Sequence, residues 1–218
     1  EVCEEAVRDY ELAQRYGREV LERALSAISW RIDLPEPALL VFNSLSWERE
    51  DIVRAPLPAD VPKNFVLVDG KTGEEVSYQH IMDSEGRSSI VFLAKGVPPC
   101  GYKSFFLRPG IPKKTPCLVH AKEDLLENEF FIIRLDKNGH IVSIYDKRCE
   151  REIIPKGCKA NVFQAFEDRP SRFDAWNIDI SYQDRMWEID DLEEIRVIEE
   201  GPVRAGVELR RSWHNSHI

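Results

Sequence analysis

No apolar run in this sequence approaches the ~20 residues needed to cross a bilayer. The longest candidates, such as Ile90–Ala94, are strand-sized, so no membrane partner is expected. Cysteine is scarce: Cys3, Cys100, Cys117, Cys149 and Cys158 are an odd number with no CxxC pair. That argues against a disulfide framework and a zinc ribbon, and for free thiols in a reducing cytoplasm. Glycine-rich phosphate loops (GxGxxG or GxxxxGK[ST]) are missing, as is the GxSxG elbow of a serine hydrolase. An excess of positive charge is also missing, with 30 Lys and Arg against 39 Asp and Glu and a net charge of −9. Nucleic acids and anionic membranes reward clustered Lys and Arg, so neither is expected as a partner. Histidine is rare, and the only close pair, His214 and His217, would point to opposite faces of a strand. No metal ligand is assigned. The first residues lack an initiator Met and the basic-then-apolar order of a signal peptide. The chain is therefore expected to be cut from something longer.

What is present suffices for a buried core: 218 residues, 43% of them hydrophobic. Cys3, Ala6, Val7, Tyr10, Ala13, Val20, Leu21, Ala24, Leu25 and Ile28 recur at steps of three and four, the spacing of one helical face. Good helix formers lie between them. The pattern predicts one helix over roughly the first thirty residues, closed by Pro35 and Pro37. A lone amphipathic helix must cover its stripe against another part of the protein or a second copy.

Beyond the prolines the period changes to that of strands. Ala38–Asn43, Ile52–Ala55, Phe65–Asp69, Glu75–Ile81, Ser88–Ala94 and Tyr102–Leu107 are separated by turn signals at 69–73, 83–86 and 98–101, which predicts a small antiparallel sandwich over 35–108. Residues 109–117, with three prolines and a glycine between Pro109 and Pro116, read as a linker. A second β region starts at 118. Glu129–Asp136 and His140–Tyr145 flank Asn138-Gly139, a hairpin signal. Further strands are expected at Ala160–Phe166, Ile178–Gln183, Glu194–Glu199 and Val203–Trp213. The last run reaches the end of the sequence with no closing turn evident, so 118–218 is expected to be the opening part of a larger domain.

One segment stands out chemically. Phe166-Glu167-Asp168-Arg169-Pro170-Ser171-Arg172-Phe173-Asp174-Ala175-Trp176-Asn177-Ile178-Asp179 mixes four carboxylates, two arginines and three aromatics around a proline. Sugars are bound by an aromatic face on their C–H surface, with carboxylates and amides on the hydroxyls. A carboxylate pair is also the equipment of a glycosidase. The plainer reading is a surface loop whose charges pair and whose aromatics plug the end of the sandwich.

The same residues resemble a known family. Leu126–Asp136, Asn138-Gly139 and Ser143–Arg148 look like the opening of the large C-terminal β domain of family 38 α-mannosidases. Phe166–Pro170 with Phe173–Asp179 is similar to a signature of the bacterial and cytosolic branch. Glu199–Ala205 fits the same domain, Val41–Arg49 resembles the first strand of the family's small β domain, and Arg8–Glu11 resembles a helix of its three-helix bundle. The resemblance implies a mainly β fold: an N-terminal helix (1–34) from a helical bundle, the small sandwich, and the start of a larger sandwich of the galactose-mutarotase-like supersandwich type. It further implies a cytoplasmic parent that hydrolyses α-mannosides with retention, using a zinc ion and an aspartate nucleophile in an N-terminal barrel. That barrel is absent from this sequence. No catalytic or metal residue, and no cofactor, is therefore assigned to the chain, which is expected to be inactive alone. Its expected partners are the missing barrel, a mannoside or glycan through the parent, and a second copy through helix 1–31 or an open sheet edge. Asp174, Trp176, Asn177 and Asp179 are the candidates for substrate-side or interdomain contacts. The rival expectations are a free-standing carbohydrate-binding β module and a structural or dimerisation domain.

Overall fold

The computed structural model describes residues 2–58, 60–82, 86–113, 117 and 119–218. The first element is the helix α1, Val2–Ser29. The strands follow: β1 (Ala38–Asn43), β2 (Arg49–Pro56), β3 (Phe65–Asp69), β4 (Glu75–Val76), β5 (Tyr78–Met82), β6 (Ser88–Val97), β7 (Gly101–Pro109), β8 (His120–Lys122) and β9 (Leu125–Glu127). After them come β10 (Phe131–Leu135), β11 (Ile141–Asp146), β12 (Arg151–Glu152), β13 (Gln164–Phe166), β14 (Met186–Glu188), β15 (Leu192–Glu200), β16 (Ala205–Trp213) and β17 (Ser216–His217). The fold is mainly β, as the spacing of turns predicts. No helix is long and apolar enough to cross a membrane among the described residues.

The helix ends at Ser29, several residues before the prolines. Its last turn tightens as Arg31 N donates to Ile28 O and Ile32 N to Ser29 O, while the Ser29 hydroxyl bonds back to Leu25 O. Such i→i+3 bonds satisfy the terminal carbonyls without extending the helix. No residue of α1 is buried, and Val20 and Leu21 of the apolar stripe stay exposed.

The contacts divide the chain into two compact units. The first comprises Glu1–Asp51, Pro58–Val76 and Ala94–Pro112. Its sheet has the order β1-β7-β3-β4, with antiparallel pairing throughout. Phe65, Leu67, Val68, Phe105 and Phe106 are buried, so adjacent residues of β7 are covered on both faces. Asn43, 4% exposed, is a polar hub within this unit. Its amide donates to Trp47 O and to Val97 O and Pro98 O, and its Oδ1 accepts from Leu45 N. One side chain thereby satisfies several carbonyls that the turn after β1 would otherwise leave unpaired.

The second unit comprises Ile52–Leu57, Ser77–Leu93 and Lys113–Ile218. Residues 52–57 and 77–93 thus group with the later β region, although the sequence reading places them in a sandwich over 35–108. The reason is local. The run expected as one strand, Glu75–Ile81, breaks at Ser77, and β5 pairs with β6 in a separate β2-β6-β5 sheet. Gln79 of β5 then accepts a hydrogen bond from Arg204 N at 3.1 Å, where Gly201 leaves room for it. The other sheets of this unit are β12-β11-β10-β9-β8, β13-β14 and β15-β16-β17. Of the expected linker, Pro109 ends β7, and residues 114–116 lie outside those described, as do 83–85 of one expected turn and 118, the expected start of the larger domain.

Two further expectations change. Ile178–Gln183 is not a strand: Ile180–Asp184 forms a 3₁₀ helix. The β16 run does not end open either, since a turn with His214 at φ 51° brings β17 back onto it. All five cysteines carry free thiols.

Candidate functional site

The segment between β13 and β14 carries the four candidate residues. At its root, β13 and β14 form a short antiparallel ribbon in the register Gln164↔Glu188, Ala165↔Trp187 and Phe166↔Met186. Glu167 closes it. Its N–H donates to Arg185 O at 3.1 Å, and its carboxylate meets Arg169 at 2.8 Å and Arg185 at 2.9 Å. Tyr182 of the 3₁₀ helix packs edge-on against Phe166, with ring centroids 5.2 Å apart.

Between these supports the chain makes a tight turn. Trp176 N and Asn177 N both donate to Phe173 O, at 2.8 and 2.9 Å, and Phe173 sits at φ 59°. That is the left-handed region, which costs a non-glycine residue about 1–3 kcal/mol. Asp179 stabilises the turn from the other side. Its Oδ2 accepts from Ser171 N at 2.9 Å and its Oδ1 from Asn177 Nδ2 at 3.2 Å. Asn177 and Asp179 are thus brought together, and they hold each other. The side chains of Asp174 and Trp176 belong to the same turn and take no part in these hydrogen bonds. Asp174 is exposed and has no hydrogen-bond or ion-pair partner among the described residues.

Trp176 is 92% exposed, so within this chain its ring does not plug the end of a sandwich. Phe173, Ile178 and Ile180 are exposed beside it in sequence. A cluster of large apolar side chains in water is costly, and on soluble proteins it marks a surface that meets something else. The chemistry on offer is an indole face, a free carboxylate, and a carboxylate–amide pair already oriented by its own hydrogen bonds. These can stack on a C–H surface and accept or donate to hydroxyls. Neither of two shallow depressions elsewhere, one on α1 at Cys3, Glu4, Val7 and Arg8 and one at Glu193, Glu208, Arg210 and His217, includes a candidate residue.

Among the described residues no three His, Cys, Asp or Glu side chains are grouped to hold a metal ion. His140 comes nearest, with Asp136 Oδ2 3.3 Å from Nδ1 and Asp190 Oδ1 2.9 Å from Nε2. The two nitrogens face away from one another, so the three groups share no common point. Sequence reasoning missed this cluster. His140 stands next to the hairpin signal Asn138-Gly139, but Asp190 is fifty residues away and nothing local joins them.

Comparison with known proteins gives a consistent picture. Residues 126–218 match the family model of the Glycosyl hydrolases family 38 C-terminal domain. Over 183 residues the chain is 26% identical to human Alpha-mannosidase 2C1, covering 81% of this chain and 15% of that protein. It is 24% identical over 186 residues to Alpha-mannosidase G of Dictyostelium discoideum, covering 78% of this chain and 16% of that one. The chain thus spans about a sixth of the length of these relatives. Its fold is similar to that of a crystal structure of an alpha-mannosidase from Enterococcus faecalis V583, with a TM-score of 0.61 at 18% identity, over 92% of this chain and 27% of the other.

Proposed function

From the match of residues 126–218 to the family model of the Glycosyl hydrolases family 38 C-terminal domain, we propose that this chain is the non-catalytic β part of an α-mannosidase. Its work is to scaffold the catalytic domain of the parent and to present the 173–180 turn to it and to the sugar. The observation that carries this reading is the exposure of Trp176, Phe173, Ile178 and Ile180 on a turn braced by Glu167 and Asp179. A turn built this firmly around exposed aromatics serves a surface that is covered in the complete protein. In this reading residues 35–108 are the small β domain, 109–117 the linker and 118–218 the opening of the large domain. Trp176 offers the stacking face, Asp174 a free acceptor, and Asn177 with Asp179 a fixed polar pair.

The parent is proposed to act on α-mannosides in the cytoplasm with a zinc ion. Among the described residues no group of His, Cys, Asp or Glu side chains fits a zinc ion, so no step is routed through the metal here, and the chain alone is proposed to be inactive. The deciding experiment sets this chain beside the full-length gene product on an aryl α-mannoside, with zinc added and then chelated. Turnover by the full-length protein alone, stopped by chelation, is the expected result. Turnover by this chain alone would overturn the reading and return attention to the carboxylates between Glu167 and Asp179.

A second reading, a dimerisation domain, rests on one observation: no residue of α1 is buried, although its apolar stripe spans the whole helix. Leu21→Glu tests it. If the stripe pairs two copies, the variant sediments as a monomer where the parent sequence does not; an unchanged profile removes the reading.

A further inference from the structure

The root of the candidate segment is tied into the second unit by two buried side chains that no catalytic reading uses. His140 is fully buried and Arg211 is 1% exposed. Arginine is almost never fully buried unless paired, and a buried imidazole needs partners for its ring nitrogens, so their burial needs a reason. Arg211, on β16, donates from Nη1 to Ile189 O at 3.3 Å and from Nη2 to Asn138 O. His140 closes the β10–β11 hairpin loop and brings Nε2 to 2.9 Å from Asp190 Oδ1. That contact is close but misaligned, since Nε2 makes no hydrogen bond; nor does Nε of Arg211. The other ring nitrogen, Nδ1, lies 3.3 Å from Asp136 Oδ2 and 3.4 Å from Lys159 Nζ. Asp136 is itself fixed, accepting from Asn138 N and His140 N at 2.9 Å each.

Ile189 and Asp190 are the two residues that follow β14. Ile189 N donates to Phe163 O at 2.9 Å, the bond that extends the β13–β14 ribbon beyond its base. Arg211 therefore holds the Ile189 carbonyl, and the His140 imidazole lies against the Asp190 carboxylate, where the 167–185 segment rejoins the sheets. Space at this place is closed. A Cβ on Gly139 would overlap Leu209 Cδ2 and stand 3.1 Å from Arg211 Nη2, and Gly139 is at φ 73°. Satisfied only in part, such a network does little for stability compared with an apolar core, and its recognised use is to specify one arrangement.

We infer that His140 and Arg211, through Asp190 and Ile189, are positioning residues that fix the direction in which the segment carrying Trp176 leaves the fold. The inference rests on the proposed role of that segment, but its test needs no sugar and no turnover. Hydrogen exchange is followed in this chain for the ribbon amides of Glu167 and Ile189, with the β5–β6 and β3–β7 ladders as internal references. Asp190 is 43% exposed at its side chain, so Asp190→Ala is expected to fold. It is expected to speed exchange at the ribbon amides about tenfold while the reference ladders keep their rates. Arg211→Lys keeps one charged donor in the same space and is expected to show a smaller rise at the same amides. The inference is overturned if neither variant changes the ribbon, or if ribbon and reference ladders quicken alike, which is what a general loss of stability produces. Failure of the mannosidase assay would leave this result standing, and the reverse also holds.

Discussion

The sheet around β3 and β7 and the segment between β13 and β14 use the same kinds of residue in opposite ways. In the first, Phe65, Phe105 and Phe106 are buried, and Asp69 is enclosed against Lys103 at 2.6 Å. In the second, Phe173 and Trp176 stand in water and Asp174 meets no hydrogen-bond or ion-pair partner among the described residues. Both are locally well ordered by hydrogen bonds: Asp69 accepts from Lys71 N and Thr72 N much as Asp179 accepts from Ser171 N. The difference lies in what the aromatic groups do. Where they fill a core they maintain the fold, and where an equally braced turn holds them outside, stability does not explain them. The largest test of this contrast is therefore a matched pair of truncations. Phe65→Ala opens a cavity under a 1%-exposed ring and is expected to lower unfolding free energy by about 3–5 kcal/mol in urea. The same change at Phe173 is expected to cost less than about 1 kcal/mol.

Breaking the polar half of the comparison has the next largest effect. Lys103→Met leaves the Asp69 carboxylate enclosed without its cation, at an expected cost of roughly 3 kcal/mol at neutral pH. Burial opposes ionisation of Asp69, but Lys103 and the N–H groups of Lys71 and Thr72 outweigh it and hold the carboxyl below its ordinary value of 3.8. The folded form therefore binds the proton less readily than the unfolded chain. Its contribution is present in full above pH ~4 and fades as pH falls through the folded value. In Lys103→Met the acid side of the stability profile is expected to flatten. An acid limb as steep as that of the unmodified chain would show that Asp69 is held by its backbone donors alone.

Backbone constraint comes third. Gly139→Ala puts a methyl group where Leu209 already stands and forces a left-handed φ on alanine, for an expected loss of about 1–3 kcal/mol. Gly157, at φ 85° with open space around it, is the control. Alanine there is expected to cost about 1 kcal/mol, the backbone term alone. Equal melting temperatures for the two variants would show that the Gly139 approach to β16 is looser than the structure has it.

These positions also show how far the sequence can be read. Ala38–Asn43 and Phe65–Asp69 are legible because each is an apolar run bounded by turn residues, and both are observed with those bounds. The hairpin at Asn138-Gly139 is legible in kind, but only Gly139 takes a positive φ; Asp136 shapes the rest of the loop by accepting from Asn138 N and His140 N. Ile178–Gln183 misleads because its apolar residues are not buried on either face of a sheet. They lie on the exposed turn, where alternation carries no information about strands. β14 and β17 escape notice because two- and three-residue strands have no period to detect. At the candidate site, composition identifies the segment but not its exposure. A Trp flanked by Asp and Asn reads the same inside or outside, and only the fold shows which. The His140–Arg211 cluster is illegible for a different reason: its members are brought together by tertiary contacts among β10–β11, the residues after β14, and β16.

The smallest expected effect falls on the residue that matters most to the functional proposal. Trp176→Ala removes a side chain that is 92% exposed and makes no ring contact with another residue in the turn. Only its backbone N–H, which alanine keeps, takes part in the hydrogen bond to Phe173 O. The expected change in unfolding free energy is within about 0.5 kcal/mol. In the full-length protein the same substitution removes a stacking face; base–aromatic stacking is worth about 1–3 kcal/mol, and a loss of the same order is expected here. A stable variant with kcat/KM on an aryl α-mannoside lowered roughly ten- to hundredfold would place Trp176 at the sugar. Unchanged kinetics with a lowered melting temperature of the full-length protein would place it at the junction between domains. Unchanged kinetics and unchanged stability would leave the exposed ring without a task in the parent enzyme, and the comparison between the two regions would lose its meaning.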